Sequence, residues 1–155
     1  LFTNKLELEK IFYSKTLGFE IIESNLNSFT LKIGWSHLTF EKTEKIYEYH
    51  YCFLIPSNKL EQAMEWMEKR VSIVDIENER KTQRFENWNA DSFYFYDASG
   101  NIAEFIVRQE LDNGIDSNFK GFDKDLCATL GIESKLNSSV SMVISICSVF
   151  TCCAL

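Results

Sequence analysis

The sequence predicts an α+β fold built from two βαβββ modules, and three observations carry that expectation. The first is Asp91 to Val107, DSFYFYDASGNIAEFIV, in which two aromatic and β-branched runs flank Asp97-Ala98-Ser99-Gly100-Asn101. A turn-forming cluster between two such runs reads as a β-hairpin, with Gly100 supplying the permissive backbone. The second is that the order strand, helix, three strands can be read twice along residues 1–109. The third is composition: 45% of the 155 residues are hydrophobic and 14% are aromatic, ample for a packed core and unlike a disordered chain. A duplicated unit of this kind buries one face of each half-sheet under its helix and leaves the concave faces of the paired sheets to form a cleft.

Leu1-Phe2 reads as the end of a strand, and Thr3 or Asn4 as a helix cap. From Lys5 to Thr16 the apolar set Leu8, Ile11 and Phe12, flanked by Lys and Glu residues, predicts an amphipathic helix closed at Gly18. Phe19 to Glu23, Ser28 to Ile33 and Ser36 to Lys42 follow as three short strands, turned at Asn25 to Asn27 and at Gly34. In the second module Tyr47 to Ile55 is a strand, and Pro56-Ser57 opens a helix with Leu60, Ala63, Met64 and Met67 at i, i+3, i+4 and i+7. Asn58 and Glu61 have the spacing of a capping box. Val71 to Ile76 is expected as a strand and Glu77 to Asn89 as a long charged loop before the hairpin. The chain so divides into a domain over 1–110, its modules at about 1–43 and 46–109, and a linker and tail over 111–155.

Asp112 to Lys124 is polar and rich in Gly, Asn and Asp, as linkers are, and Ser138 to Leu155 is too polar for a membrane span. Cys152-Cys153-Ala154-Leu155 superficially fits a prenylation box but lacks the upstream polybasic stretch that usually accompanies one. The other tail cysteines, Cys127 and Cys147, complete no zinc-knuckle or disulfide spacing, so reduced thiols and a cytoplasmic location are expected. No signal peptide opens the chain, and its start at Leu1, inside a strand end, leaves the expectation that a segment before it is missing. A formal charge of −7 opposes phosphate backbones and anionic lipid. Nucleic acid and membrane are disfavoured as partners, and a small molecule is expected.

Glu104 is the residue that asks for a chemical explanation. It shares a strand face with Ile102 and Ile106, and a carboxylate between apolar neighbours needs a cation, a donor or a proton unless that face is solvated. Glu48, His50, Cys52 and Leu54 share a face of another strand, EYHYCFLIP. An imidazole and a carboxylate from two strands of one sheet supply two thirds of a divalent-metal site. Cys52 is read as packing, the commoner fate of a lone cysteine in an aromatic strand.

These stretches resemble the vicinal oxygen chelate superfamily, which holds glyoxalase I, the fosfomycin- and bleomycin-resistance proteins and the extradiol dioxygenases. The resemblance covers Leu1 to Gln109 and rests on Ile11-Phe12-Tyr13-Ser14-Lys15-Thr16-Leu17-Gly18-Phe19, on Tyr49-His50-Tyr51-Cys52-Phe53, and on Asp91 to Phe95 followed by Asp97 to Glu104. It implies a divalent ion (Mn, Ni, Zn or Fe) held by His50, Glu104 and a residue of the opening strand, acting as Lewis acid on two adjacent oxygens of a substrate. The opening-strand ligand has no counterpart here, since it would precede Leu1. His37 is the spare candidate, on a fourth-strand face shared with Thr39 and Glu41 that the family register turns into the cleft. The alternative for His37 is a surface histidine on an edge strand. The hairpin is most similar to the fosfomycin-resistance branch, which implies Ser92 and Tyr94 on the substrate with Arg84 as an upstream anion-binding group. Trp88 stands where that branch has a small polar residue, Glu86, Asp91 and Asp97 add negative charge unsuited to an anionic substrate, and ordinary hairpin pairing is the favoured alternative for Ser92 and Tyr94. The resemblance also implies a homodimer.

Three functions follow as expectations. One is a metal-dependent enzyme acting on a small oxygen-rich substrate, as a lyase, dioxygenase or thiol transferase, with Glu104 and Tyr94 catalytic and Arg84, Trp88, Ser92, Tyr94 and Thr39 lining the substrate. Another is a metal-free sequestration protein of the bleomycin-resistance type, with Trp35, Trp88, Tyr49, Tyr51 and Tyr94 as stacking surface for a cationic guest. The third is an inactive truncated paralogue.

Overall fold

In the computed structural model of the chain, residues 1–34, 36–77 and 80–121 are described in full and residues 132–135 by their backbone. Trp35, the tail cysteines and the prenylation-like box lie outside the described residues. The first module runs β1 (Phe2–Thr3), α1 (Leu6–Ile11), β2 (Glu20–Ser24), β3 (Ser28–Ile33) and β4 (Ser36–Lys42). The second runs β5 (Glu48–Leu54), α2 (Leu60–Glu68), β6 (Gln83–Phe85), β7 (Ala90–Tyr96) and β8 (Ile102–Arg108), with β9 (Ile132–Lys135) added from beyond. Two sheets result, ordered β1-β4-β3-β2 and β6-β7-β8-β5-β9. In each module the opening strand lies parallel to the closing one, β1 on β4 and β5 on β8, so the duplicated order seen in the sequence is a duplicated topology.

One core joins the modules. Phe29, Leu31 and Phe40 of the first sheet and Tyr51, Phe53, Phe93, Phe95 and Phe105 of the second belong to the same buried cluster. The Phe19 and Phe53 rings meet at 5.8 Å, and those of Phe12 and Phe95 at 6.4 Å. Both helices close this core, α2 through Ala63 and Met67 at the spacing its sequence predicts, with Leu60 and Met64 partly buried beside them.

The hairpin of β7 and β8 forms in full register from Ala90↔Arg108 to Tyr96↔Ile102. Asp97 closes its turn, since Asn101 N–H and Ser99 N–H donate to the Asp97 carboxylate at 2.8 and 2.9 Å. Gly100 sits at φ +91, the left-handed region where a side chain costs energy.

Four expectations are corrected. α1 presents the opposite face from the one its apolar letters suggest: Leu6, Glu9 and Tyr13 are buried, while Leu8 and Ile11 are 55% and 53% exposed. The buried Tyr13 ring lies 5.3 Å from Phe40 and 5.7 Å from Phe19, and after Ile11 the backbone widens into a π-helical turn, Phe12–Thr16. Val71 to Ile76 does not form a strand. Ile73 makes a single bridge to Phe95 and Val74 N–H bonds Tyr94 C=O, so this segment covers one end of the β7 edge while β6 covers the other. The stretch expected as a loop therefore contains β6 and a 3₁₀ turn at Glu86–Trp88, closed by Asn89 at φ +45. Asn58 does not cap α2: its side chain exchanges two hydrogen bonds with the Ile115 backbone at 3.0 and 3.1 Å. With Asn113 on Ser57 N–H and Phe119 N–H on Gln62, these bonds lay residues 113–119 along α2.

Candidate functional site

Alternation along β5, β7 and β8 divides the second sheet into two faces. Tyr51, Phe53, Phe93, Phe95, Ala103, Phe105 and Val107 enter the common core. The other face carries His50 and Cys52 from β5, Ser92 and Tyr94 from β7, and Glu104, Ile106 and Arg108 from β8.

His50 and Glu104 meet on this face. Cys52 is the direct partner of Glu104 across the parallel pair, so His50 is its diagonal neighbour, and its Nε2 lies 3.0 Å from Glu104 Oε2. The side chains keep 20% and 7% of their exposure, so this is a partly desolvated imidazole–carboxylate pair. Tyr94 is the cross-strand partner of Glu104, with its ring 5.9 Å from that of His50. Burial first, and then the Glu104 carboxylate, push the Tyr94 phenol well above its ordinary pKa, while the Ser92 hydroxyl acts the other way. Cys52 adds a buried thiol beside them.

The Ser92 Oγ and Tyr94 OH are both buried, and neither makes a hydrogen bond of ordinary geometry among the described residues, although the Tyr94 phenol lies near enough to Ser92 and Glu104 to feel both. A buried hydroxyl without a partner costs on the order of 1–3 kcal/mol. Two of them stand two residues apart on one strand face, next to the imidazole–carboxylate pair. Further along the same face lies an apolar floor of Cys52, Leu54, Ala90 and Ile106, with Phe85, Trp88 and Leu111 packed half-buried against it.

The other expected residues stand elsewhere. Arg84 is the cross-strand partner of Asp91, on the opposite strand face from Ser92 and Tyr94. It donates to Asp91 at 2.9 Å and to Asn89 at 2.6 Å, with Glu86 at 3.4 Å, so its guanidinium is engaged by local acceptors. His37 and Thr39 belong to the other sheet. His37 is exposed opposite Lys32, and Thr39 bonds Thr30 at 2.9 Å beside an open hollow of about 550 Å³ lined by Asn25, Leu26, Asn27, Ser28 and Glu41. Sequence reasoning missed Arg108. It shares the Glu104 face, is 17% exposed and pairs with Glu110. The strand alternation that singled out Glu104 and Ile106 reaches Arg108 one step further on.

The donor chemistry of His50 and Glu104 suits a divalent ion, but a protein site takes three or more donors. Among the described residues no third His, Cys, Asp or Glu joins them to make a group of three. The pair satisfies itself by a direct hydrogen bond. The described residues therefore do not make a metal site.

No family model matches the chain, and no curated protein matches it in sequence. Solved structures do match its fold. Lactoylglutathione lyase from Agrobacterium tumefaciens superposes with a TM-score of 0.58 at 17% identity, covering 69% of this chain and 88% of that one. A glyoxalase/bleomycin resistance protein/dioxygenase from Alicyclobacillus acidocaldarius gives 0.56 at 18%, covering 70% and 86%. The fosfomycin resistance protein FosX from Listeria monocytogenes, in a mutant form complexed with Mn(II) and 1S,2S-dihydroxypropylphosphonic acid, gives 0.54 at 18%, covering 70% and 87%. At these identities the likeness is one of fold. Among the described residues no helix is long and apolar enough to cross a membrane.

Proposed function

We propose that this chain, which has the vicinal oxygen chelate fold of glyoxalase and bleomycin-resistance structures, binds a small oxygen-bearing molecule on the outer face of its second sheet. The observation that carries this reading is the pair of buried, unpartnered hydroxyls of Ser92 and Tyr94 beside the His50–Glu104 pair. Both hydroxyls can donate to a ligand oxygen, and the apolar floor with Trp88 and Phe85 takes the carbon body. His50 adds acid–base capacity. The Glu104 carboxylate holds the ring in place through the 3.0 Å contact to Nε2.

Catechol and methylphosphonate, a vicinal diol and an anionic oxygen ligand, serve as probes in an amide-shift titration of the whole chain. The expected result is that one of them moves Ser92, Tyr94 and Glu104 together, and that Tyr94→Phe weakens its binding by about tenfold, the loss of one good hydrogen bond. Shifts elsewhere on the chain, or binding that survives both Tyr94→Phe and His50→Ala, would overturn the reading. Elemental analysis and a manganese titration, run on wild type beside His50→Ala, read the metal content directly. A stoichiometric ion lost in His50→Ala would replace this reading with a metal-dependent one.

A further inference from the structure

A second cluster of titratable groups lies on the core side of the same sheet, at the junction of the two modules. Glu9 of α1 is 0% exposed, and beside it are Asp97, Tyr51, Tyr13 and Asn101, none more than 6% exposed. The two carboxyl groups are served unequally. Asp97 accepts four hydrogen bonds: Ser99 N–H at 2.9 Å and Asn101 N–H at 2.8 Å on Oδ1, Tyr51 O–H at 2.6 Å and Asn101 Nδ2–H at 2.7 Å on Oδ2. Glu9 accepts one, from Ser99 N–H at 2.7 Å on Oε1, and its Oε2 is buried without a partner among the described residues.

Asp97 is fully served by donors, whereas a buried oxygen with no donor is the atom that keeps a proton. Among the described residues the other groups that act on Glu9 are neutral: Tyr13 in the turn after α1, Tyr51 on β5 and Ser99 in the β7–β8 turn, whose hydroxyl is bonded to Thr3 of β1. The Lys5 ammonium is exposed and turned to the Ala98 carbonyl at 3.4 Å. The cluster reaches the candidate site through β5. Asn101 Oδ1 accepts from Tyr49 N–H at 3.0 Å while Asp97 accepts from Tyr51 O–H, so the turn grips the residues on either side of His50.

We infer that Glu9 and Asp97 are a carboxyl pair sharing one proton, that the protonated pair latches α1 to the β7–β8 turn, and that through Tyr49 and Tyr51 it is a positioning device for His50. Loss of the proton puts two like charges side by side in a buried space, and the latch loosens. Burial, and then the charge of Asp97, push the Glu9 carboxyl up to about 8, so this loss falls in the physiological range. The sign follows from linkage. The folded chain holds a proton that the unfolded chain releases near 4.5, so stability is full below that value and falls as pH rises towards about 8.

Carboxyl-carbon NMR of the wild-type chain tests this without any variant and without a ligand, so its outcome is separate from that of the binding experiment. Glu9 is expected to titrate above about pH 6.5, with the amide signals of Tyr49 and Tyr51 moving at the same midpoint. A Glu9 midpoint near its ordinary value, or Tyr49 and Tyr51 signals that ignore it, would overturn the proposal. In urea the unfolding constant of the wild type should rise at least about tenfold between about pH 5.5 and 8.5, and in Glu9→Gln, whose amide stands in for the protonated acid, less than about twofold. Equal slopes for the two chains would likewise overturn it. If Glu9→Gln fails to fold, the wild-type titration decides alone.

Discussion

Tyr94 and Ser92 each leave a buried hydroxyl without a partner among the described residues, which is a feature kept at a cost in stability. The expected signature at this scale is a trade between stability and function. Tyr94→Phe removes the orphaned hydroxyl and keeps the ring that lies 5.9 Å from His50, so it should leave stability unchanged or raise it by up to about 1 kcal/mol. Urea denaturation of the variant beside wild type checks this, and a loss of more than about 1 kcal/mol would mean that the hydroxyl is already satisfied inside the fold. Glu104→Gln is expected to keep the fold, since an amide can still bond His50. Urea denaturation of the variant should stay within about 1 kcal/mol of wild type; a larger loss would show that the amide does not replace the carboxylate beside His50.

Among elements, the β7–β8 hairpin is the most local in origin and the easiest to break at one position. Gly100 at φ +91 has open space where a Cβ would stand, so Gly100→Ala is penalised by its backbone alone, by roughly 1–2 kcal/mol on thermal or urea unfolding. No effect would mean that the turn relaxes to another conformation. The attachment of residues 113–119 to α2 depends on a few side-chain bonds, chiefly those of Asn58 with Ile115. Asn58→Ala is expected to speed hydrogen exchange at Ile115 N–H while leaving exchange in β7 and β8 unchanged.

For the molecule as a whole, one aromatic core shared by both modules predicts a single unfolding transition rather than two. Far-ultraviolet circular dichroism and tryptophan fluorescence, the latter from Trp35 of the first module and Trp66 and Trp88 of the second, should give coincident urea curves. Separated midpoints would mean that the sheets fold independently despite contacts such as Phe19 with Phe53. The same shared core explains what could be read in advance. The two modules and the meeting of His50 with Glu104 were legible because strand alternation and turn residues are local. Arg84 was expected beside Ser92 and Tyr94, but the register Arg84↔Asp91 sets it on the other face, a one-residue matter that only the pairing decides.

The sequence by itself determined the α+β class, the duplicated strand order, the hairpin with its Asp97–Asn101 turn, and the candidate pair on β5 and β8. Each follows from patterns a few residues long, in which side-chain period and turn chemistry leave little choice. Only the tertiary structure decided which face α1 buries, that Val71 to Ile76 is too broken to be a strand, and that His37 and Thr39 stand in a different sheet from His50. A six-residue helix with apolar letters on two sides has no inward face of its own. The donors of the β7–β8 turn draw Glu9 in, and the aromatic core draws in Tyr13, leaving Leu8 and Ile11 to solvent.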